Sequence, residues 1–339
     1  MFQCLYTFDE PDEEYLNSLS LSPDGILLVG CFHNLVKVWD LTTGNINHSF
    51  ELRGDRYGHS NTLVNPDWKT IISNDRYGNL RTYDLWTGEE VFCFQGENSA
   101  LAFSPDGKVL FSATSKAHHS SNARIEINVI EFSTGQLLRT LLFANVYLPV
   151  RCLLPSPDGS ILAAQTFDLL TQVWDWQNGQ VISVFNALPT SSSLHLGNCV
   201  CRHWLDAVAT RPNSQIIAAV AQRDKLNEQT TVGIWDIQTT ETLYTLGISQ
   251  REPHSGMPHS AMTPDGSLLA VGNINSIEIW DLESRQQLCV LDGHQSRIDY
   301  LTISLDGKII ISHASGDSIK VWHSNGTCCD LTTVLPQIN

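Results

Sequence analysis

Positive charge is scarce in this chain. Its 339 residues include 20 Lys and Arg against 36 Asp and Glu, a formal net charge of −16, and charged residues of either sign make up only 17%. Such a deficit repels a polyanion, which excludes a nucleic-acid partner unless basic residues are gathered locally. Long apolar runs are missing too. No stretch of about 18 uninterrupted apolar residues occurs, so no membrane-spanning helix is expected. The start, Met1-Phe2-Gln3-Cys4-Leu5-Tyr6-Thr7-Phe8, has neither the basic residues nor the apolar run of a secretory leader. No window sustains a helical period of 3.6. The glycine-rich phosphate loops Gly-x-Gly-x-x-Gly and Gly-x-x-x-x-Gly-Lys-Ser/Thr are absent, as is the Gly-x-Ser-x-Gly nucleophile elbow. The nine Cys are odd in number and scattered from Cys4 to Cys329. They read as reduced thiols in a cytoplasmic setting, the vicinal pair Cys328-Cys329 included, and not as a disulfide framework. Disorder is excluded by the 42% of apolar residues, enough to bury a large core.

What is present is a repeat. Ser22-Pro23-Asp24-Gly25 returns as Ser104-Pro105-Asp106-Gly107 and Ser156-Pro157-Asp158-Gly159, with weaker copies at Asn65-Pro66-Asp67, Arg211-Pro212-Asn213, Thr263-Pro264-Asp265-Gly266 and Ser304-Leu305-Asp306-Gly307. In each such turn Pro presets φ and Gly accepts a positive φ. A second mark follows each turn: Trp39-Asp40, Tyr83-Asp84, Ile130-Glu131, Trp174-Asp175, Trp235-Asp236, Trp280-Asp281 and Trp322-His323. After most of these comes a Thr-Gly-like turn such as Thr42-Thr43-Gly44. Between the marks lie short alternating or apolar segments, for example Leu19-Ser20-Leu21, 26–29 and Val36-Lys37-Val38-Trp39, the pattern of strands bounded by turns. Four short strands per unit and seven units predict an all-β fold, a seven-bladed β-propeller of antiparallel blades in one domain over 1–339.

Turn, strand, Trp-Asp, turn, strand resembles the WD-repeat family, and the resemblance covers residues 2 to about 323. It implies a buried network that links a His of a Gly-His pair, a Ser or Thr, an Asp and the repeat Trp. The last repeat comes nearest, with Gly293-His294, Ser312, Asp317 and Trp322, although Asp317 stands five residues before its Trp where the family spacing is six. His59 and Ser73 occupy the second repeat, where Tyr83 replaces the Trp. Asp168 stands six before Trp174 in a repeat without Gly-His. These groups read as structural: they satisfy buried polar demand and brace strands.

Family repeats begin with the outer strand of one blade and continue into the next. Cys4-Leu5-Tyr6-Thr7-Phe8 reads like Thr242-Leu243-Tyr244-Thr245-Leu246, so residues 2–8 are expected to pair with the strand of Trp322 and close the last blade. Residues 327–331 compete for that place, and 324–339 otherwise form a C-terminal extension.

Seven compact repeats need about 294 residues. The excess sits mainly in Lys116–Arg124, Asn186–His203, Arg223–Thr230 and Gly247–Pro258, 47 residues together. Strand alternation places all four on one face, the top by family convention, over blades three to six. They carry a net +3, leaving −19 elsewhere, whereas Asp9-Glu10-Pro11-Asp12-Glu13-Glu14 puts acids on the same face at blade one. Long loops on a rigid scaffold are where function is grafted. The candidate partner-binding residues are therefore Lys116, His118, His119, Arg124, His195, Arg202, His203, Arg223, Lys225, Arg251 and His254. If 199–203 is extended, Cys199, Cys201 and His203 share one side and offer a candidate metal site with His195. The Cys-x-Cys spacing equally fits one apolar strand face, and no metal or cofactor is assigned.

The expected function is that of a non-enzymatic scaffold that binds a protein or peptide on the top face, a monomeric propeller within a larger assembly. The alternative is a channel-centred hydrolase, or a propeller that binds a sugar or other small ligand. The segments expected to line the channel carry Leu19, Leu21, Leu101, Phe103, Leu153, Val208, Leu301 and Ile303 and are poor in acid–base groups, which weighs against catalysis there.

Overall fold

The computed structural model describes residues 2–9, 16–52, 59–75, 79–94, 98–115, 125–143, 149–167, 170–186, 204–211, 215–223, 230–248, 259–314 and 316–324. These residues form seven four-stranded antiparallel sheets joined in a ring. Blade 1 spans 16–51, blade 2 59–94, blade 3 98–143, blade 4 150–186, blade 5 204–248 and blade 6 260–292. Blade 7 combines three strands of 298–324 with the N-terminal strand Phe2–Asp9. That strand pairs antiparallel with Ser318–Ser324, from Phe2 opposite Ser324 to Asp9 opposite Ser318. Ser324 thus ends a strand and is not part of the C-terminal extension. The competing segment 327–331 lies outside the described residues.

Burial explains why the repeat reads as it does. A blade is covered on both faces by its neighbours, so its second strand is buried on both sides and does not alternate. Leu27–Phe32 is buried from Leu28 onward, and Leu162–Thr166 is buried throughout. Third strands keep one polar position, as Lys37 does between buried Val36 and Val38. Outer strands are largely exposed, as in Asn45–Glu51. The core is accordingly divided into wedges between blades. One wedge joins Phe111, Ile127 and Phe143 of blade 3 to Leu153, Leu162 and Trp174 of blade 4. There Trp174 meets Phe143 edge to face at 5.2 Å, and a side chain of this size contributes about 3 kcal/mol by burial alone. Another joins Ile311, Ile319 and Val321 of blade 7 to Leu28 and Trp39 of blade 1, with Tyr6 and Phe8 packed against it.

Both repeat marks are aspartate-anchored turns on one face of the ring. In the first, Ser22 Oγ donates to Asp24 Oδ1 at 2.5 Å and accepts from Leu27 N at 2.8 Å, while Gly25 takes φ 73°. Ser104–Asp106, Ser156–Asp158, Thr263–Asp265 and Ser304–Asp306 repeat the side-chain bond. In the second, Asp40 Oδ1 accepts from Thr42 N at 2.7 Å, and Asp84, Asp175, Asp236 and Asp281 accept equivalent backbone donors. Hydrogen bonds hold Asp24, Asp40, Asp84 and Asp281 below the usual carboxylate range.

Each second turn also approaches the outer strand of the preceding blade. A Cβ on Gly44 would stand 2.6 Å from Tyr6, one on Gly88 2.7 Å from Phe50, and one on Gly179 2.7 Å from Arg139. Glycine serves there for its positive φ and for this close approach. Blades 5 and 6 depart from the rule, with Thr240 at φ 61° and Arg285 at φ 60° in the same turn position.

Candidate interaction face

Antiparallel alternation fixes the opposite face, the top. Inner strands begin there, outer strands end there, and the second and third strands of each blade are joined there. The strand ends flanking 116–124, 187–203, 224–229 and 249–258 all open on it. The structure trims the sequence boundaries: Asn186 ends the outer strand of blade 4, Arg223 ends the second strand of blade 5 opposite Thr230, and the outer strand of blade 5 runs through Gly247 to Ile248. Arg223 is therefore a strand residue at the rim and not a loop residue. Lys116, His118, His119, Arg124, His195, Arg202, His203, Lys225, Arg251 and His254 lie outside the described residues, as do Cys199, Cys201 and Asp168. Among the described residues no three His, Cys, Asp or Glu side chains gather as metal ligands.

At the centre of this face the inner strands share a feature. Just after the start of six of them one residue bulges out of register: Asn17, Ser60, Ser99, Arg151, Asp206 and Asp299. A bulge sets one extra residue into the strand and shifts its register. All six positions are polar in the sequence and lie at the top ends of the inner strands. Asn17 Nδ2 donates to the carbonyl of His33 at 3.4 Å, and Arg151 Nη1 to Gln165 Oε1 at 3.5 Å. Asp299 Oδ1 lies 2.6 Å from Nδ1 of buried His313, with its own side chain one-third exposed. The channel mouth thus offers acceptors and donors of both signs beside an apolar interior in which Leu19, Leu101 and Leu301 are buried. These bulge residues are absent from the sequence-based candidates. Their sequence signal is a polar residue directly after the first apolar one, as in Val150-Arg151-Cys152 and Ile298-Asp299-Tyr300.

The residues of the structural network fall in several blades. In blade 7, Trp322 Nε1 donates to Ser312 Oγ at 2.8 Å, Ser312 lies 2.7 Å from His294 Nε2, and His294 Nδ1 lies 2.7 Å from Asp317 Oδ2. Burial pushes the His294 imidazole below its usual range despite Asp317. Burial also pushes Asp317 up, but the bonds from His294 and Gln295 N prevail and hold it below the carboxylate range. The chain of donors is then consistent with neutral His294: Trp322 to Ser312, Ser312 to Nε2, and Nδ1–H to the Asp317 carboxylate. In blade 2, Ser73 Oγ lies 3.0 Å from Thr62 Oγ1, and His59 stands opposite Asp75 at the start of the inner strand. In blade 4, Gln165 Nε2 donates to Thr171 Oγ1 at 3.1 Å. Gln165 stands at the position of His313, and Ala164 takes the place of Ser312, so this blade is braced elsewhere.

Comparison with known proteins agrees with this architecture. The sequence profile of the WD domain, G-beta repeat, matches residues 2–40, a segment that joins the closing strand to the first three strands of blade 1. The chain is similar to Transducin beta-like protein 3 of Bos taurus, 25% identical over 230 residues, 67% of this chain and 26% of that protein. It is similar to Autophagy-related protein 16 of Arabidopsis thaliana, 24% identical over 303 residues, 88% of this chain and 53% of that protein. With Apoptotic protease-activating factor 1 of Danio rerio it shares 26% identity over 171 residues, 50% of this chain and 12% of that protein. The chain thus spans from about an eighth to about half of these relatives. Seven blades, each wound from four antiparallel strands, define a β-propeller. With its repeated Trp-Asp ends and the profile match over residues 2–40, this propeller is similar to the WD-repeat proteins. No helix among the described residues is long and apolar enough to cross a membrane.

Proposed function

We propose that the protein is a non-enzymatic interaction scaffold that takes a protein or peptide partner on its top face. The observation that carries this reading is the gathering of the three longest interruptions between strands, 116–124, 187–203 and 249–259, on that face, around the polar bulge residues at the channel mouth. WD-repeat propellers serve as protein-interaction scaffolds, and the coarse reading accords with that. The carboxylates of the turns and of the blade 7 brace serve structure, which accords with scaffolding. Asp24, Asp106, Asp158, Asp265 and Asp306 each accept a side-chain bond in a turn, and Asp317 accepts from the brace in blade 7. These groups are held ionised for structure, and at the channel mouth Asp299 is engaged by His313. A cytoplasmic setting and the absence of a nucleic-acid partner belong to the same proposal, supported by the free thiols of Cys4, Cys31, Cys93, Cys152 and Cys289 and by the net charge of −16.

The test replaces 116–124 and 187–203 separately with short Gly-Ser turns. Proteins retained by the wild-type chain from its native cell are identified, purified and rebound to each variant. Loss of direct binding at an unchanged melting temperature is expected. Full binding by both variants moves the partner site off these loops.

A further inference from the structure

On the bottom face, between blades 5 and 6, lies a cavity of about 480 Å³ lined by Arg211, Tyr244, Asp265, Leu282, Glu283 and Arg285, among others. That size suits a short segment of peptide. Two cations are held there on one phenol. Arg211 Nη2 donates to Tyr244 Oη at 3.3 Å, and the Arg285 guanidinium lies over the Tyr244 ring at 4.5 Å from its centroid. Tyr244 is itself fixed, donating to the carbonyl of Leu282 at 2.8 Å. Neither guanidinium makes an ion pair among the described residues. Arg285 makes no hydrogen bond among them either, so its fork of donors faces the cavity or solvent unmatched.

The backbone sets this junction apart. Tyr6 corresponds to Tyr244, each standing opposite the residue just before its repeat Trp, Val321 and Ile234 respectively. Tyr6 is covered by Gly44 of the next blade. Over Tyr244 the same turn position holds Arg285 at φ 60°, a conformation that is costly for any residue with a Cβ. The ring therefore tolerates local strain at the one described junction where that position carries a cation over an aromatic ring.

The cavity also contains acids. Oδ1 of Asp265 is committed to its turn, accepting from Thr263 Oγ1 at 2.7 Å, Ser267 N at 3.0 Å and Ser267 Oγ at 2.8 Å. Glu283 is exposed at the rim. Leu282 and the Tyr244 ring supply apolar floor. Such a lining complements a segment that brings an oxyanion to the arginines and N–H donors to the carboxylates.

We propose that the cavity between blades 5 and 6 is a second docking site, for a peptide segment whose acidic or phosphorylated side chain is gripped by Arg285 and Arg211. It is independent of the top-face reading and stands on the opposite side of the ring. Charge-assisted, bidentate bonds from arginine suit carboxylate and phosphate alike.

The probes are three fluorescein-labelled peptides of one frame, Gly-Ser-Leu-Xaa-Xaa-Leu-Ser-Gly, with Xaa aspartate, phosphoserine or asparagine, read by fluorescence anisotropy on the whole chain. Aspartate or phosphoserine peptide is expected to bind at least about tenfold more tightly than the asparagine peptide, and which of the two binds identifies the source of the oxyanion. Arg285→Gly restores the residue of the sister turns. It is expected to abolish this preference while melting no lower than wild type, which separates loss of the site from loss of the fold. Arg211→Gln is expected to weaken binding of the anionic peptide about tenfold as well. Absence of any anion preference in the wild type, or an undiminished preference in Arg285→Gly, overturns the proposal.

Discussion

Gly44 presses its backbone against the face of Tyr6, so closely that a Cβ would stand 2.6 Å from the ring. Tyr6 lies in the strand that completes blade 7, and Gly44 lies in blade 1, so this contact seals the junction where the ring's two ends meet. Gly44→Ala adds this overlap to the conformational cost of φ 73° and is expected to destabilise by at least about 2 kcal/mol. Gly316→Ala provides the comparison, because Gly316 has φ 71° and nothing within 4 Å of its would-be Cβ. It should lose only about 1–2 kcal/mol. Equal losses in urea titrations would show that the Tyr6 contact contributes nothing.

Removal of residues 1–8 strips the outer strand from blade 7 and exposes the edge of Ser318–Ser324. An open edge of this kind invites pairing with other chains. The truncated chain is expected to aggregate instead of accumulating in soluble form. Recovery of monomer with the wild-type melting temperature would refute closure by this strand.

Ser312 is the middle of the brace in blade 7, accepting from Trp322 and facing His294. Ser312→Ala leaves two buried polar groups without their partner, at about 1–3 kcal/mol for each. Chemical denaturation should therefore show one of the larger losses available to a substitution of this size. Thr263→Ser keeps the turn hydroxyl that binds Asp265 and is expected to stay within about 0.5 kcal/mol of wild type.

Acid should act through His294. Its imidazole is held below the usual value of 6.5, chiefly by burial. The unfolded chain therefore takes up this proton more readily than the folded one, and stability rises with pH across the interval. The contribution is complete above about pH 6.5 and is lost as the pH falls toward the folded-state value. Melting temperatures followed from about pH 8 down to about pH 5 should decline, and the decline should be shallower in His294→Gln. The same slope in both would assign the acid sensitivity elsewhere.

Sequence legibility follows locality. The Ser22–Asp24 and Asp40–Thr42 turns are built from residues two apart, so their chemistry stands in the sequence and repeats in register. The brace of blade 7 is less local, and Asp317 reaches His294 although it stands nearer its Trp than the family spacing. The bulges at Arg151 and Asp299 depend on pairing with the next strand, and no turn residue announces them. The bottom cavity joins Arg211, Tyr244 and Arg285, which come from two blades. Its one trace in the sequence is an arginine where the sister turns at Gly44, Gly88 and Gly179 carry glycine. The candidate residues of the long top loops, Lys116 to His254, are matched by no repeat, and so neither spacing nor register positions them.

A chain made from its N-terminus releases Phe2–Asp9 before the other six blades, and the partner of that strand, Ser318–Ser324, only after them. Pairing across such a separation is slow, and domains fold as they emerge. Six blades can therefore assemble while the first strand waits alone and the seventh blade is still three-stranded. Any product whose synthesis stops before residue 318 keeps two open edges, whatever the quality of its other blades. The shared blade thus works as a completion signal for the ring: only a chain read through residue 324 can cover the strand Phe2–Asp9.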